Sequence, residues 1–182
     1  MKLNEIKRLC LAVNTFRLVN APVEAQWLGD GFNLYKVENI HLTEAALPSL
    51  FGLTMKQFNR CSILETRETM DIYRADNYYG EEIQLYHVGD VWAFESRMLA
   101  LRSDLGLLFL PLENLKPTVY TDDTDFRLRL EGGLQRIAVY NGMFCDALLL
   151  PVDTQSAGMI MDKLARLSSF QLYGQKEEVT EP

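Results

Sequence analysis

The feature that most limits the fold of this chain is a series of short segments separated by glycine turns in its C-terminal third. Residues 126–130 alternate apolar with basic side chains, and Gly132-Gly133 follows them. Residues 134–140 form a second segment, and Asn141-Gly142, a strong hairpin signal, separates it from residues 143–150. Because side chains of a strand point alternately to opposite faces, the pattern predicts a three-stranded antiparallel meander.

The region before this meander also carries strand signals. Residues 71–73 predict a short strand that leads into a loop at residues 76–80. Residues 83–88 alternate apolar with polar side chains, and Gly89-Asp90 predicts a turn before a further strand over residues 91–94. These segments predict additional strands on the N-terminal side of the meander.

Helical spacing is found in three other places. Apolar residues predict an amphipathic helix over residues 2–14, and residues 42–60 predict a short helical hairpin. After Pro151, Thr154 can cap a C-terminal helix whose apolar side chains recur as far as Leu167. The prediction is therefore an α+β fold, with an antiparallel sheet that contains the meander. Strands do not alternate regularly with helices, which disfavours a Rossmann-type parallel sheet.

The length of the chain predicts one domain. Its 182 residues fall in the usual domain range, and we expect residues 1–174 to form that domain and residues 175–182 to be a disordered acidic tail. The N-terminus lacks the pattern of a signal peptide, and no apolar run approaches the length of a membrane span. These observations predict a cytoplasmic protein.

Motifs for catalysis and metal binding are missing from the sequence. Cys10, Cys61 and Cys145 are far apart, and no cysteine–histidine spacing typical of zinc sites is present. His41 and His87 lie outside any catalytic motif, and neither a serine nucleophile elbow nor a phosphate-binding glycine loop occurs. The sequence therefore predicts a non-enzyme without metal or cofactor. A small hydrolase whose site assembles from scattered residues remains an alternative.

Acidic residues predict a surface for a basic partner. The net charge is −7, which disfavours sequence-independent binding to phosphate backbones. Tyrosines interleave with carboxylates in one group, and tyrosine supplies contact area and cation–π faces. That group is Glu65, Glu68, Asp71, Tyr73, Asp76, Tyr78, Tyr79, Glu81 and Glu82, and a second group is Asp122, Asp123 and Asp125. The alternatives are an ordinary charged hairpin and a solvated turn; the second group lacks the spacing of a calcium loop.

The segment from Leu42 to Arg60 carries a recognisable arrangement of residues. Gly52 can adopt a positive φ that ends one helix, and Thr54 with Gln57 can form the capping box that begins the next. The positions that match a helix-turn-helix pattern are Leu42-Thr43, Leu47, Gly52, Leu53, Thr54, Phe58 and Arg60. These 19 residues resemble the helix-turn-helix of phage repressors.

This resemblance implies a DNA-binding transcriptional regulator that acts as a homodimer. Its second helix would enter the major groove, where the contacting residues would be Lys56, Gln57, Asn59 and Arg60. Pro48 departs from the pattern, because proline inside a helix costs about 3 kcal/mol. A plain helical hairpin is the alternative interpretation of this segment.

The combined profile predicts a non-catalytic binding protein. A small acidic chain with tyrosine-rich acidic segments and a repressor-like helix pair is similar in kind to inhibitors encoded by phages and mobile elements, including anti-CRISPR proteins. This similarity implies an inhibitor that docks on a basic surface of a nucleic-acid-handling enzyme such as a Cas9-type nuclease. The transcriptional regulator and the small hydrolase are the alternatives.

Overall fold

The computed structural model describes residues 2–21, 25–38, 41–75, 78–93 and 95–152. Three predicted features lie outside the described residues: the C-terminal helix that begins near Thr154, the acidic tail over residues 175–182, and Asp76 of the first acidic group.

Ten strands of the described residues form one mixed sheet in the order β4-β1-β2-β3-β10-β9-β8-β5-β6-β7. The strands are Thr15–Asn20 (β1), Gln26–Gly29 (β2), Leu34–Val37 (β3), Ser62–Arg67 (β4), Glu82–Ala93 (β5), Ser96–Ser103 (β6), Gly106–Pro111 (β7), Asp125–Glu131 (β8), Leu134–Asn141 (β9) and Phe144–Leu149 (β10). The pair β1–β4 is parallel, and the other neighbouring pairs are antiparallel.

The predicted α+β fold with an antiparallel sheet is wrong. The strands β8, β9 and β10 are paired antiparallel in sequence order, but they form only the middle of a much larger mixed sheet. The reason lies partly in β1, which has buried residues on both of its faces and therefore lacks the alternation of a half-buried strand. It also begins directly after a helix, with only Asn14, in the left-handed conformation at φ 52°, between the two.

The predicted turn at Gly89-Asp90 is also wrong. Strand β5 continues through these residues, and its register with β6 shifts between His87 and Gly89. A shift of this kind is a β-bulge, which accommodates an extra residue and bends the strand without ending it. Residues 71–73, predicted as a strand, instead form a 3₁₀ turn.

Three α-helices occur in the same described ranges: Leu3–Val13 (α1), Leu47–Phe51 (α2) and Met55–Phe58 (α3). Helix α1 packs through its apolar face against the sheet and contacts α2. Lys7 Nζ donates to the carbonyl of Phe51 at 2.7 Å, which satisfies one of the carbonyls left free at the end of α2. In the described part of the chain, no helix is long and apolar enough to cross a membrane.

The sheet has an apolar cluster on each face. The larger cluster includes Phe16 of β1 and Leu110 of β7, which lie near opposite ends of the strand order, so the sheet must curve around this core. On the other face, a second cluster joins Trp27 and Leu34 to Ile72. The segment after β4 thus covers part of that second face, and it brings Asp71 and Tyr73 of the first acidic group onto the sheet.

Candidate partner-binding surface

The segment formed by residues 70–75 is attached to the sheet through its own backbone groups. The Glu131 carboxylate accepts hydrogen bonds from the backbone N–H of Asp71 at 3.3 Å and of Ile72 at 2.5 Å. Trp27 Nε1 donates to the carbonyl of Tyr73 at 2.6 Å. These contacts satisfy polar backbone groups at a buried location, where an unpaired group would be costly.

Arg129 is the central residue of this attachment. None of its side chain is exposed, and Nη1 donates to the carbonyls of Ile72 at 3.1 Å and Arg74 at 2.6 Å. Nε donates to Glu82 at 2.7 Å, and Nη2 donates to the hydroxyl of Tyr140 at 2.5 Å. One buried guanidinium therefore holds the segment through backbone carbonyls while a carboxylate balances its charge.

Tyr140 and Glu82 complete a short chain of hydrogen bonds. The Tyr140 hydroxyl donates to Glu82 Oε1 at 2.5 Å. Burial and this hydrogen bond raise the pKa of Tyr140, so the hydroxyl keeps its proton. Burial opposes ionisation of Glu82, but hydrogen bonds from Tyr140, Arg129 and Arg127 outweigh it and lower the pKa of this carboxyl. The group is thus built around an ionised carboxylate and a neutral phenol.

A second arginine continues the network along the sheet. Arg127 Nη1 donates to Glu82 at 3.0 Å, and its Nε donates to Asp125 at 2.8 Å. Gln84 donates to the other oxygen of Asp125 at 2.5 Å. We call Arg129, Glu82, Tyr140, Arg127 and Asp125 the arginine network.

Two tyrosines of the first acidic group, Tyr78 and Tyr79, stack on arginines. The Arg129 guanidinium carbon lies 4.6 Å from the ring centre of Tyr78, and that of Arg74 lies 4.7 Å from the ring centre of Tyr79. Arg74 also pairs with Asp71 at 2.5 Å. The Tyr79 side chain is 74% exposed, so cation–π contact positions this ring at the surface.

The structure brings part of the predicted surface together and separates the rest. Tyr73 is buried, Glu82 and Asp125 belong to the arginine network, and Asp71, Tyr78 and Tyr79 lie next to it. Glu65 and Glu68 lie instead in and just after β4, at the far edge of the sheet. Glu68 pairs with Arg17 at 2.9 Å, and Glu65 accepts from Asn20 Nδ2 at 3.1 Å.

Three other acidic residues are exposed at the ends of the β5–β8 pair. Glu81 precedes β5 at one end, and Asp122 with Asp123 precedes β8 at the other. These residues lie at opposite ends because β5 and β8 are antiparallel, so the starts of the two strands are at opposite ends of the pair. Glu81 is thus separated from Asp122 and Asp123 by the length of the paired segment, roughly 14 Å at 3.4 Å per residue.

The helical hairpin has the local geometry expected from its sequence. Gly52 ends α2 at φ 55°, and Thr54 forms the capping box with Gln57 that begins α3. Pro48 lies in the first turn of α2, where proline removes no helical hydrogen bond, so the departure from the repressor pattern costs little here.

The candidate DNA contacts lie on a very short helix. Lys56, Asn59 and Arg60 are exposed, whereas Gln57 is half-buried and uses its side chain for the capping box. Helix α3 has four residues, or roughly 6 Å of helix at 1.5 Å per residue. A recognition helix contacts bases with several residues along the major groove, so α3 can present fewer base-contacting residues than the recognition helix of a repressor.

Two clefts bear on the catalytic alternative. One, of about 410 Å³, is lined by His87, Ser103 and Asp104 among its residues. His87 Nε2 faces Asp90 Oδ1 at 3.4 Å, and Ser103 Oγ accepts from the backbone N–H of Leu105 at 3.1 Å. A hydrolytic relay would need His87 to turn towards Ser103.

The other cleft, of about 580 Å³, lies beside the ends of several strands. Leucines make up half of its lining, which also includes Gln135 and Arg136. Arg136 is buried and donates Nη1 to the carbonyl of Gln135 at 3.0 Å, while its Nε has no hydrogen-bond partner among the described residues. Burial lowers the pKa of Arg136. No group of three or more potential metal-ligating side chains occurs in the described ranges.

Sequence reasoning missed the residues that organise the network. Arg129, Tyr140 and Glu131 were not expected to take part in a site, because alternation of apolar with basic residues usually marks a solvated face. The available signal was the pair Arg127 and Arg129 in a predicted strand of the meander. Where such arginines become buried, they need carboxylate partners from elsewhere in the chain.

Comparison of the chain with family models, curated proteins and solved structures gave no match.

Proposed function

We propose that this chain is a non-catalytic binding protein that docks on a basic surface of a nucleic-acid-handling enzyme. A Cas9-type nuclease is the partner class that we favour, which makes the protein an anti-CRISPR-like inhibitor. The observation that carries the proposal is the exposed Tyr79 ring, which is stacked on Arg74 and lies two residues before the exposed Glu81 in the sequence.

The positioning of Tyr79 supports this role. Exposed aromatic side chains normally lose rotamer freedom when a partner binds them, and that loss weakens binding. The cation–π contact with Arg74 already restricts the ring, so less freedom is lost on docking. Tyrosine is also among the residues that most often dominate binding energy at interfaces.

The charge distribution around this ring supports a basic partner. The arginine network neutralises Glu82 and Asp125 within the protein, so these carboxylates contribute to rigidity rather than to attraction. Glu81, Asp122 and Asp123 remain exposed and are the acids that a partner would meet. Charges of this kind act mainly on the rate of association, which falls as salt rises.

A DNA-cleavage assay with Cas9-type nucleases tests the proposal. Excess wild-type protein is expected to inhibit cleavage by a susceptible nuclease. Tyr79→Ala and Glu81→Lys should each weaken that inhibition, and Glu44→Lys serves as the matched control. Glu44 is exposed in the 3₁₀ turn before α2, outside the proposed surface, so this control changes the net charge by the same amount.

Two outcomes would contradict the proposal. Unchanged cleavage at excess protein across a panel of such nucleases would remove the nuclease as partner. Equal inhibition by wild type and both surface variants would show that the partner binds elsewhere. Far-ultraviolet circular dichroism of each variant keeps loss of folding separate from loss of binding.

A further inference from the structure

Strand β4 forms one edge of the sheet and is paired along its full length on the inner side. All six of its residues have a partner in β1, from Ser62 opposite Thr15 to Arg67 opposite Asn20. The other edge strand, β7, differs, because the carbonyl of Phe109 accepts a hydrogen bond from Val152 at 2.9 Å. Within the described ranges, β4 is thus the edge with its outer side open.

The direction of the backbone groups of β4 follows from two hydrogen bonds at its ends. Ser62 N donates to Asn14 O at 2.8 Å, and Glu68 N donates to Asn20 O at 2.9 Å. Alternate residues of a strand direct their N–H and C=O to opposite sides. Even-numbered residues of β4 therefore face β1, and the odd-numbered residues, Ile63, Glu65 and Arg67, direct both backbone groups away from the sheet.

The outer edge of β4 lacks two common protections against pairing. Natural edge strands are often interrupted by proline or by a bulge, whereas β4 contains no proline and keeps a continuous register with β1. Leu64 is 48% exposed on this strand. Glu65 and Arg67 are exposed as well, and residues two apart lie on the same face of a strand.

The charges select one partner and one register. In an antiparallel pair, residues whose backbone groups point at the neighbouring strand must lie opposite one another. A twofold axis at Thr66 meets this condition. It places Glu65 of each copy opposite Arg67 of the other copy. An axis at Glu65 would instead oppose two like charges. We propose that β4 pairs antiparallel with β4 of a second copy of this chain, with Thr66 at the twofold axis.

This pairing joins two sheets into one continuous sheet. The open N–H and C=O groups of Glu65 and Arg67 become paired in both copies, and two symmetric ion pairs form across the interface. The interface lies on the opposite side of the strand order from β5 and β8, so it is independent of the surface proposed for the nuclease.

Sedimentation equilibrium on the full chain tests the proposal by charge exchange. Wild type is expected to dimerise. Glu65→Arg and Arg67→Glu each place like charges opposite each other twice, and each should weaken dimerisation roughly ten-fold or more, because opposed like charges destabilise a strand pair. A mixture of these two variants restores both ion pairs in a heterodimer and should associate as wild type does.

Control variants separate this interface from a general effect of charge. Glu44→Arg and Lys56→Glu make the same charge changes at exposed positions outside β4 and should leave the dimer unchanged. A wild-type chain that stays monomeric at all accessible concentrations would overturn the proposal. So would a dimer that both single variants preserve, or a mixture that fails to associate although each variant is folded.

Discussion

Arg129 donates from Nε to Glu82 at 2.7 Å, and no part of the Arg129 side chain is exposed. The two residues face each other across neighbouring strands. Through its other nitrogens, the same guanidinium holds the carbonyls of residues 72 and 74. This pair therefore links the centre of the sheet to the segment that presents Tyr79.

Arg129→Met should destabilise the protein strongly. Removal of one partner leaves the carboxylate of Glu82 without its main cation and frees two carbonyls, and breaking a buried pair costs about 3–5 kcal/mol. Urea unfolding measures the change in the free energy of unfolding. The matched control is Arg97→Met, because Arg97 forms an exposed pair with Asp90, and such pairs contribute about 0–1 kcal/mol. Equal losses in the two variants would contradict the role of Arg129.

The contribution of Glu82 should depend on pH. Its folded-state pKa lies below the ordinary value of 4.5, because hydrogen bonds outweigh the opposing effect of burial. Such a group stabilises the fold fully above its unfolded pKa, and the stabilisation is lost as pH falls through the folded pKa. The stability difference between wild type and Glu82→Gln should therefore be larger at about pH 7 than at about pH 3. A difference that does not change with pH would argue against an ionised Glu82.

The helical hairpin should depend on its capping box. Thr54→Ala removes the side-chain acceptor of the Gln57 N–H, and loss of such a cap costs about 0.5–2 kcal/mol. Thermal unfolding followed by circular dichroism measures the change. Thr43→Ala is the control, because Thr43 precedes a 3₁₀ turn and makes no capping hydrogen bond with its side chain. If both substitutions lower the melting temperature equally, the capping box does not stabilise the hairpin.

The three cysteines should react at different rates with a thiol reagent. Burial raises the pKa of Cys145 to about 12 and also raises the pKa of Cys10. Burial raises the pKa of Cys61 as well, but this thiol is partly exposed, and thiolate fraction together with access sets the reaction rate. One thiol should react rapidly in the folded protein, and Cys61→Ser should abolish that phase. Rapid reaction of all three thiols in the absence of denaturant would mean that the core opens readily.

The cleft at His87 gives a test of the catalytic alternative. Ser103 accepts a backbone hydrogen bond and His87 faces Asp90, so we expect no labelling by a fluorophosphonate probe. Heat-denatured protein is the control for non-specific reaction. Labelling that disappears in Ser103→Ala, but persists in the exposed control Ser62→Ala, would favour a hydrolase.

Sequence patterns located those elements whose signals are local. Asn141-Gly142 and Gly132-Gly133 placed the turns between β8, β9 and β10, and Thr54 with Gln57 placed the start of α3. The alternation at residues 83–88 also predicts a strand correctly, but Gly89 wrongly predicts a turn, because glycine is common both in turns and in β-bulges.

Long-range pairing explains what the sequence did not predict. Strand β4 is parallel to β1, and nothing near residue 62 indicates a partner at residue 15. Likewise, Arg129 lies in an amphipathic pattern typical of a solvated face. Its burial is possible only because Glu82 and the carbonyls of residues 72 and 74 bind its guanidinium. These partners are distant in sequence, so no window of a few residues contains the information.

The position of β10 has a consequence for the order in which the chain can fold during synthesis. Strands β1 to β4 lie on one side of it and strands β5 to β9 on the other, and its pairing with β3 joins Leu34 and Tyr35 to Leu148 and Ala147. While a ribosome is still making the chain, β3 and β9 each present an open edge, and open edges of nascent sheets are prone to wrong pairing. The two halves can be joined only when residues 144–149 have left the exit tunnel, so completion of the sheet must wait for the last of its ten described strands.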